Sequence, residues 1–145
     1  MDETKYNKIA DSCKPKSSIL KNCINAFVFG GVIAVIGQFL LEFYMELLNV
    51  GQEKASAPMI ITIVFITCLL TGFGVFDKIA KHAGAGTFIP ITGFANAMSS
   101  AALESKSEGL IQGIGSNIFK YGGSVITYGI VSSFIFGVIR YVFKI

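Results

Sequence analysis

The chain has 145 residues, 52% hydrophobic and only 14% charged, against about 25% charged in an ordinary soluble domain, so lipid rather than water is its expected solvent. A net charge of +3, with no patch of basic residues interleaved with aromatics, excludes a nucleic-acid partner. Three cysteines, 13, 23 and 68, and a lone histidine, His82, supply neither a zinc set nor a triad, so no metal and no cofactor is expected and an enzyme is a distant third reading.

Residues 1–22 form a polar segment with lysines at 5, 8, 14, 16 and 21. A secretory signal would bring its apolar core nearer the start and end in a small-residue cleavage site. The first hydrophobic run is therefore expected to stay as an anchor, and residues 23–145 to form a single transmembrane domain. That run, CINAFVFGGVIAVIGQFLL from Cys23 to Leu41, has no formal charge and matches the roughly 20 residues needed to cross a hydrocarbon core. It is expected to continue as an amphipathic turn to Leu48, with Glu42 and Glu46 on one face. Residues 49–57 are expected to be a loop.

Pro58 is expected to open the second span, PMIITIVFITCLLTGFGVF, because proline is tolerated in a first helical turn. Its Val, Ile and Thr content would favour a strand in water, but the run is too long for one. Cys68 inside it reads as a small hydrophobe. The span is expected to end at Asp77, with residues 77–86 a short basic connection closing in a glycine-rich turn.

GTFIPITGFANAMSSAAL, Gly86 to Leu103, is long enough to cross much of a bilayer yet is full of helix-disturbing residues. Pro90 removes a backbone donor, and Gly93 weakens the same turn. The polar patch ESKSEG at 104–109 and the glycine-rich LIQGIGSNIFKYGG follow, before a last span from Ser124 to Phe143 with Arg140 and Lys144 placed to snorkel. Lysines cluster near the N-terminus and in the 77–82 connection, whereas residues 42–57 hold one lysine against three glutamates. The positive-inside rule then puts both termini and the 77–82 connection in the cytoplasm. An even number of crossings is required, so residues 84–122 are expected to supply a fourth, broken or re-entrant one. The fold expected is an all-α integral membrane protein of about four crossing segments.

Non-helical backbone at membrane depth survives only where it is buried in protein or lines a water-filled cavity. Transporters use such breaks at binding sites; a plainly kinked helix is the other reading of Pro90 and Gly93. The polar residues beyond weigh toward a solute path lined by Pro90, Gly93, Asn96, Ser99, Ser100 and Asn117, with Glu104, Lys106 and Glu108 at its mouth. For those three charges a solvated loop stays open as well. Small residues recur at helical spacing: Gly30, Ala34 and Gly37 in the first span, Gly129, Ser133 and Gly137 in the last. Such faces let membrane helices approach closely, either within the chain or, as a four-crossing chain with little bulk suggests, between subunits of a homo- or hetero-oligomer.

At PITGFANAM (90–98), followed by the Glu-Gly and glycine-rich pattern from Glu104 to Gly129, the chain resembles the stage V sporulation protein AC/AE family, small membrane proteins of spore-forming Firmicutes. The likeness runs from the first span to the last, and the long polar N-terminal segment sides with the AC branch. Ser105 is smaller than the residue the family pattern leads one to expect there. The resemblance implies a forespore inner-membrane component that moves dipicolinic acid, largely as its calcium chelate, during sporulation and germination, and that responds to membrane tension. It also implies partners from the same sporulation operon, one of them a soluble dipicolinate-binding protein. A non-conducting assembly subunit is the competing reading.

Overall fold

The computed structural model describes residues 18–144, and every regular element among them is helical. The polar segment before Ser18, including Cys13 and four of the lysines, lies outside the described residues.

Helix α1 runs Ile19–Leu48, starting four residues ahead of the apolar run. It is apolar almost all round, as a helix must be when lipid covers it; Phe27 is 83% exposed and Phe39 67%, which in water would be untenable for so many rings. It stops at Asn49, whose left-handed backbone (φ 53) lets the Val50 N–H reach the Met45 carbonyl at 3.2 Å.

Helix α2 runs Gln52–Gly72, which corrects two expectations. The connection is only residues 49–51, because Gly51 starts a helix whose Lys54 and Ala55 N–H groups bond its carbonyl. Pro58 consequently lies inside the helix, where its missing N–H leaves the Lys54 carbonyl without an intrahelical partner near an end that water or headgroups can reach. The far end falls at Gly72, five residues before Asp77. Gly74, at φ 68, lets its own N–H bond the Thr71 carbonyl and that of Val75 bond Leu70, at 3.0 and 2.9 Å, a Schellman closure. Within α2, the hydroxyls of Thr62, Thr67 and Thr71 each return to the carbonyl four residues back, at 2.8–2.9 Å. The polar residues that make this sequence look strand-like thus satisfy themselves inside a helix. Thr62 also bonds Tyr44 at 2.8 Å, tying α2 to α1.

The stretch expected as a basic connection is instead a short amphipathic helix, α3, Phe76–Ala83. Phe76, Ala80 and Ala83 are buried while Asp77, Lys78, Lys81 and His82 are exposed, which is the spacing of one helical face. Helix α4, Ala85–Phe88, and helix α5, Ile91–Glu104, follow. A 3-10 turn at Lys106–Glu108 and a π-helical segment at Leu110–Gly115 lead into α6, Ser116–Phe143. The last helix begins eight residues before Ser124, the start expected from apolarity alone, since the glycines of the preceding stretch sit within helical backbone.

Three segments are long and apolar enough to cross a bilayer: 19–48, 52–72 and 110–143. The chain is an all-α membrane protein. Helix α2 packs on α1, α5 on α2, and α4 on α1, while α6 meets chiefly α5 and the π-helical segment. The buried hydrophobics are mostly alanines, at 55, 80, 83, 95 and 101, as expected where close backbone approach rather than bulky side chains holds helices together.

Candidate functional site

The helix break falls at Ile89–Pro90. Pro90 is extended (φ −65, ψ 171) and starts α5; it has no N–H to lose there, and its carbonyl takes the Gly93 N–H at 2.9 Å. Around the break, one buried threonine replaces what the helix gives up and a second reinforces the start of α4. The Thr92 hydroxyl donates to the Thr87 carbonyl at 3.0 Å, and the Thr87 hydroxyl to the Gly84 carbonyl at 3.1 Å. Thr87 is 2% exposed and Thr92 6%, so both hydroxyls do this out of reach of solvent, as buried irregular backbone requires.

Two glycines make the arrangement possible by their lack of a side chain. A Cβ on Gly93 would lie 2.2 Å from the Phe88 carbonyl oxygen, and one on Gly86 would lie 2.3 Å from that of Ala26. Gly93 therefore lets α5 fold tightly back on the end of α4, and Gly86 lets α4 rest directly on the backbone of α1. Gly30 forms the other side of that contact, where a Cβ would stand 3.6 Å from Gly86. Gly37 faces Ile63 on α2, while Ala34 is exposed. Of the first small-residue face, then, two members pack within the chain. A Cβ on Gly129 or Gly137 would meet nothing within 4 Å among the described residues, and Ser133 is exposed.

The expected path residues divide into three groups. Asn96 is half-buried, with its Oδ1 2.9 Å from the Thr71 hydroxyl. That hydroxyl also lies 2.8 Å from the Thr67 carbonyl, so its single proton is shared between two acceptors and Asn96 is bound loosely to the end of α2. The Ser99 hydroxyl donates to Ala95 at 2.8 Å in its own helix, and Ser100 is exposed beside it. Glu104, Lys106 and Glu108 are all exposed, at the end of α5 and in the 3-10 turn.

Asn117 belongs elsewhere. It donates from Nδ2 to the Ser105 hydroxyl, which in turn donates to the Ala101 carbonyl at 2.9 Å. Ser105 is 3% exposed, and Gly113 approaches its carbonyl so closely that a Cβ would be 2.2 Å away. The missing side chain at Gly113 is what admits the π-helical segment, and Asn117, through the Ser105 hydroxyl, locks α6 to the end of α5. Sequence reading singled out Ser105 only as a departure in size and missed its part in this node. It missed Thr71, Thr87 and Thr92 altogether, although threonines flanking a proline in an apolar run are the signal for hydroxyls that repair a broken helix.

An apolar cavity of about 330 Å³ lies between α1, α2 and α3, with Phe29, Ile33, Ile66, Leu70 and Phe76 in its wall and the Thr87 and Thr92 side chains at one side. Asn96, Ser99 and Ser100 are not in that wall. No group of three or more His, Cys, Asp or Glu among the described residues is placed to hold a metal ion.

Comparison with known proteins bears out the resemblance read from residues 90–129. The family of SpoVAC/SpoVAEB sporulation membrane proteins matches over residues 22–139. Stage V sporulation protein AC of Bacillus subtilis (strain 168) is 45% identical over 139 residues, which cover 96% of this chain and 93% of that protein. No solved structure matches the chain. With the match extending through all three long helices and the repaired break between them, the chain belongs to the SpoVAC/SpoVAEB family of sporulation membrane proteins.

Proposed function

We propose that the chain is a channel or permease subunit that passes dipicolinic acid, as its calcium chelate, across the forespore inner membrane, and that membrane tension opens it. The observation that carries this reading is the break at Ile89–Pro90, kept in an apolar setting by buried threonine hydroxyls and followed on α5 by Asn96, Ser99 and Ser100. A plain anchor needs neither the break nor its repair. Pro90 and Gly93 set the geometry, and Asn96 with the two serines offers polar groups along the path. Glu104, Lys106 and Glu108 stand at its mouth, where Lys106 suits a dicarboxylate and the glutamates suit its calcium chelate. The exposed small-residue face at Gly129, Ser133 and Gly137 fits assembly with further subunits, which would close a path that one chain is too small to enclose.

Both termini are placed in the cytoplasm by this reading. The second reading is a non-conducting assembly subunit, favoured by α6, none of whose residues is buried within the chain. Purified protein in liposomes loaded with calcium dipicolinate separates the two. Efflux that rises when the vesicles are swollen by osmotic downshift supports the channel; retention of solute equal to that of protein-free vesicles at every tension supports the scaffold.

A further inference from the structure

Two cavities adjoin along the seam between the start of α1 and the α3–α4 junction. The first, about 400 Å³, has Asn22, Lys81 and His82 in its wall and, among the described residues, no carboxylate. The second, about 220 Å³, is walled by Ala26, Gly30, Ala85, Gly86, Ile89 and Pro90, without one polar side chain among the described residues. Ala26 and Ala85 belong to both walls, so a basic mouth borders directly on an apolar slot.

The dimensions and charge of this seam select its occupant. From Ile19, in the wall of the mouth, to Gly30, in the wall of the slot, α1 rises about 16 Å at 1.5 Å per residue. That is about half of a 30 Å hydrocarbon core, the depth of one leaflet. Lys81 has no carboxylate partner among the described residues, and His82 is steadied by its Nδ1–H, which donates to the Lys78 carbonyl at 2.9 Å. Basic pockets between membrane helices bind anionic headgroups. A free anion would find partners only at the mouth and none in the slot.

We propose that this seam binds one anionic phospholipid, with its phosphate at Lys81 and Asn22 and one acyl chain in the slot against Ala26, Gly30 and Ala85. The chain's inner stretch would rest on Ile89 and Pro90, the two residues of the helix break. This site is independent of whether the protein conducts a solute.

Native mass spectrometry of the full-length protein in non-ionic detergent tests it, with phosphatidylglycerol and phosphatidylcholine of identical acyl chains as probes. One phosphatidylglycerol is expected to be retained in preference to phosphatidylcholine, and Lys81→Gln is expected to reduce that retention about five-fold. Lys81→Arg keeps the charge and is expected to restore it, which separates a lost site from a misfolded chain. Ala85→Leu, at an exposed position, fills the slot and should abolish retention of both lipids although the Lys81 and Asn22 side chains are unaltered. Lys78→Gln, on the exposed side of the same helix and outside both walls, should change nothing. Equal retention of the two lipids, or an equal loss in Lys78→Gln, would reduce the effect to diffuse surface charge and overturn the proposal. So would undiminished retention in Ala85→Leu, or displacement of the lipid by an equimolar amount of glycerol 3-phosphate, which would leave an anion site without a chain seat.

Discussion

A methyl group added at Gly86 would meet the Ala26 carbonyl oxygen at 2.3 Å and the Gly30 nitrogen at 2.9 Å. Both neighbours are backbone, so neither can swing aside, and α4 would have to leave α1. Gly86→Ala is therefore expected to destabilise the chain by about 1–3 kcal/mol, as overpacking does. Gly129→Ala, with nothing within 4 Å, should stay within about 0.5 kcal/mol. Thermal unfolding of the two variants in one detergent reads the contrast, and equal melting would mean that the α1–α4 crossing is not a close contact. Asn96 poses a different kind of question. Its bond to a Thr71 proton shared with Thr67 is worth about 1 kcal/mol at most, so Asn96→Leu should leave the amount of protein in the membrane almost unchanged. If Asn96 lines the path, the same variant cuts solute efflux from liposomes severalfold. Efflux matching the parent at matched protein amounts would take Asn96 out of the path.

At the scale of the element, the question is what holds the break open. Pro90 lacks the N–H that would continue α4 into α5, but Thr87, Thr92 and Gly93 also hold the chain in its bent course. Pro90→Ala restores the donor and is expected to slow amide exchange at residues 89–93 and to move the tension at which solute escapes, with abundance unaltered. Unchanged exchange and unchanged threshold would assign the break to the threonines and Gly93 instead. The position of this break was legible because a proline and a nearby glycine in an apolar run act locally, through sterics and a missing donor. Helix ends were less legible. Gly74 closes α2 through a left-handed turn, yet the residues on both sides of it, Phe73 and Val75, are as apolar as the span itself, so composition carried the reading on to Asp77. The 76–83 helix was hidden for the opposite reason: its four exposed polar side chains masked the buried face at Phe76, Ala80 and Ala83. The Ser105–Asn117 node could not be read at all, since it joins residues across a turn and depends on Gly113 approaching a carbonyl.

For the whole molecule, parity is the sharpest constraint. Three segments are long and apolar enough to cross, and three crossings alone would put Ile19 and Phe143 on opposite sides of the membrane. The lysines near the N-terminus and Arg140 with Lys144 at the other end argue for the same side. On the same-side reading, α4 and α5 together supply the fourth crossing. In the structure Gly93 folds α5 back on α4 at Pro90, so a full crossing requires the pair to open toward the about 27 Å that Ala85–Phe88 and Ile91–Glu104 would reach end to end, close to the roughly 30 Å of a hydrocarbon core. A pair bent sharply at Pro90 would fall short and return to the side it entered. Single cysteines introduced at positions 5, 54, 81, 106 and 144 of a cysteine-free chain, labelled by an impermeant maleimide in sealed vesicles, distinguish these cases. Positions 5, 81 and 144 are expected to label from one side and positions 54 and 106 from the other, because α5 then delivers Lys106 across the membrane and α6 brings the chain back. Labelling of 106 together with 81, and of 144 opposite to 5, would show a re-entrant α4–α5 pair and three crossings. The small-residue face of α6 would then run through the bilayer in the reverse direction, and the proposed mouth at Glu104, Lys106 and Glu108 would open on the cytoplasmic side.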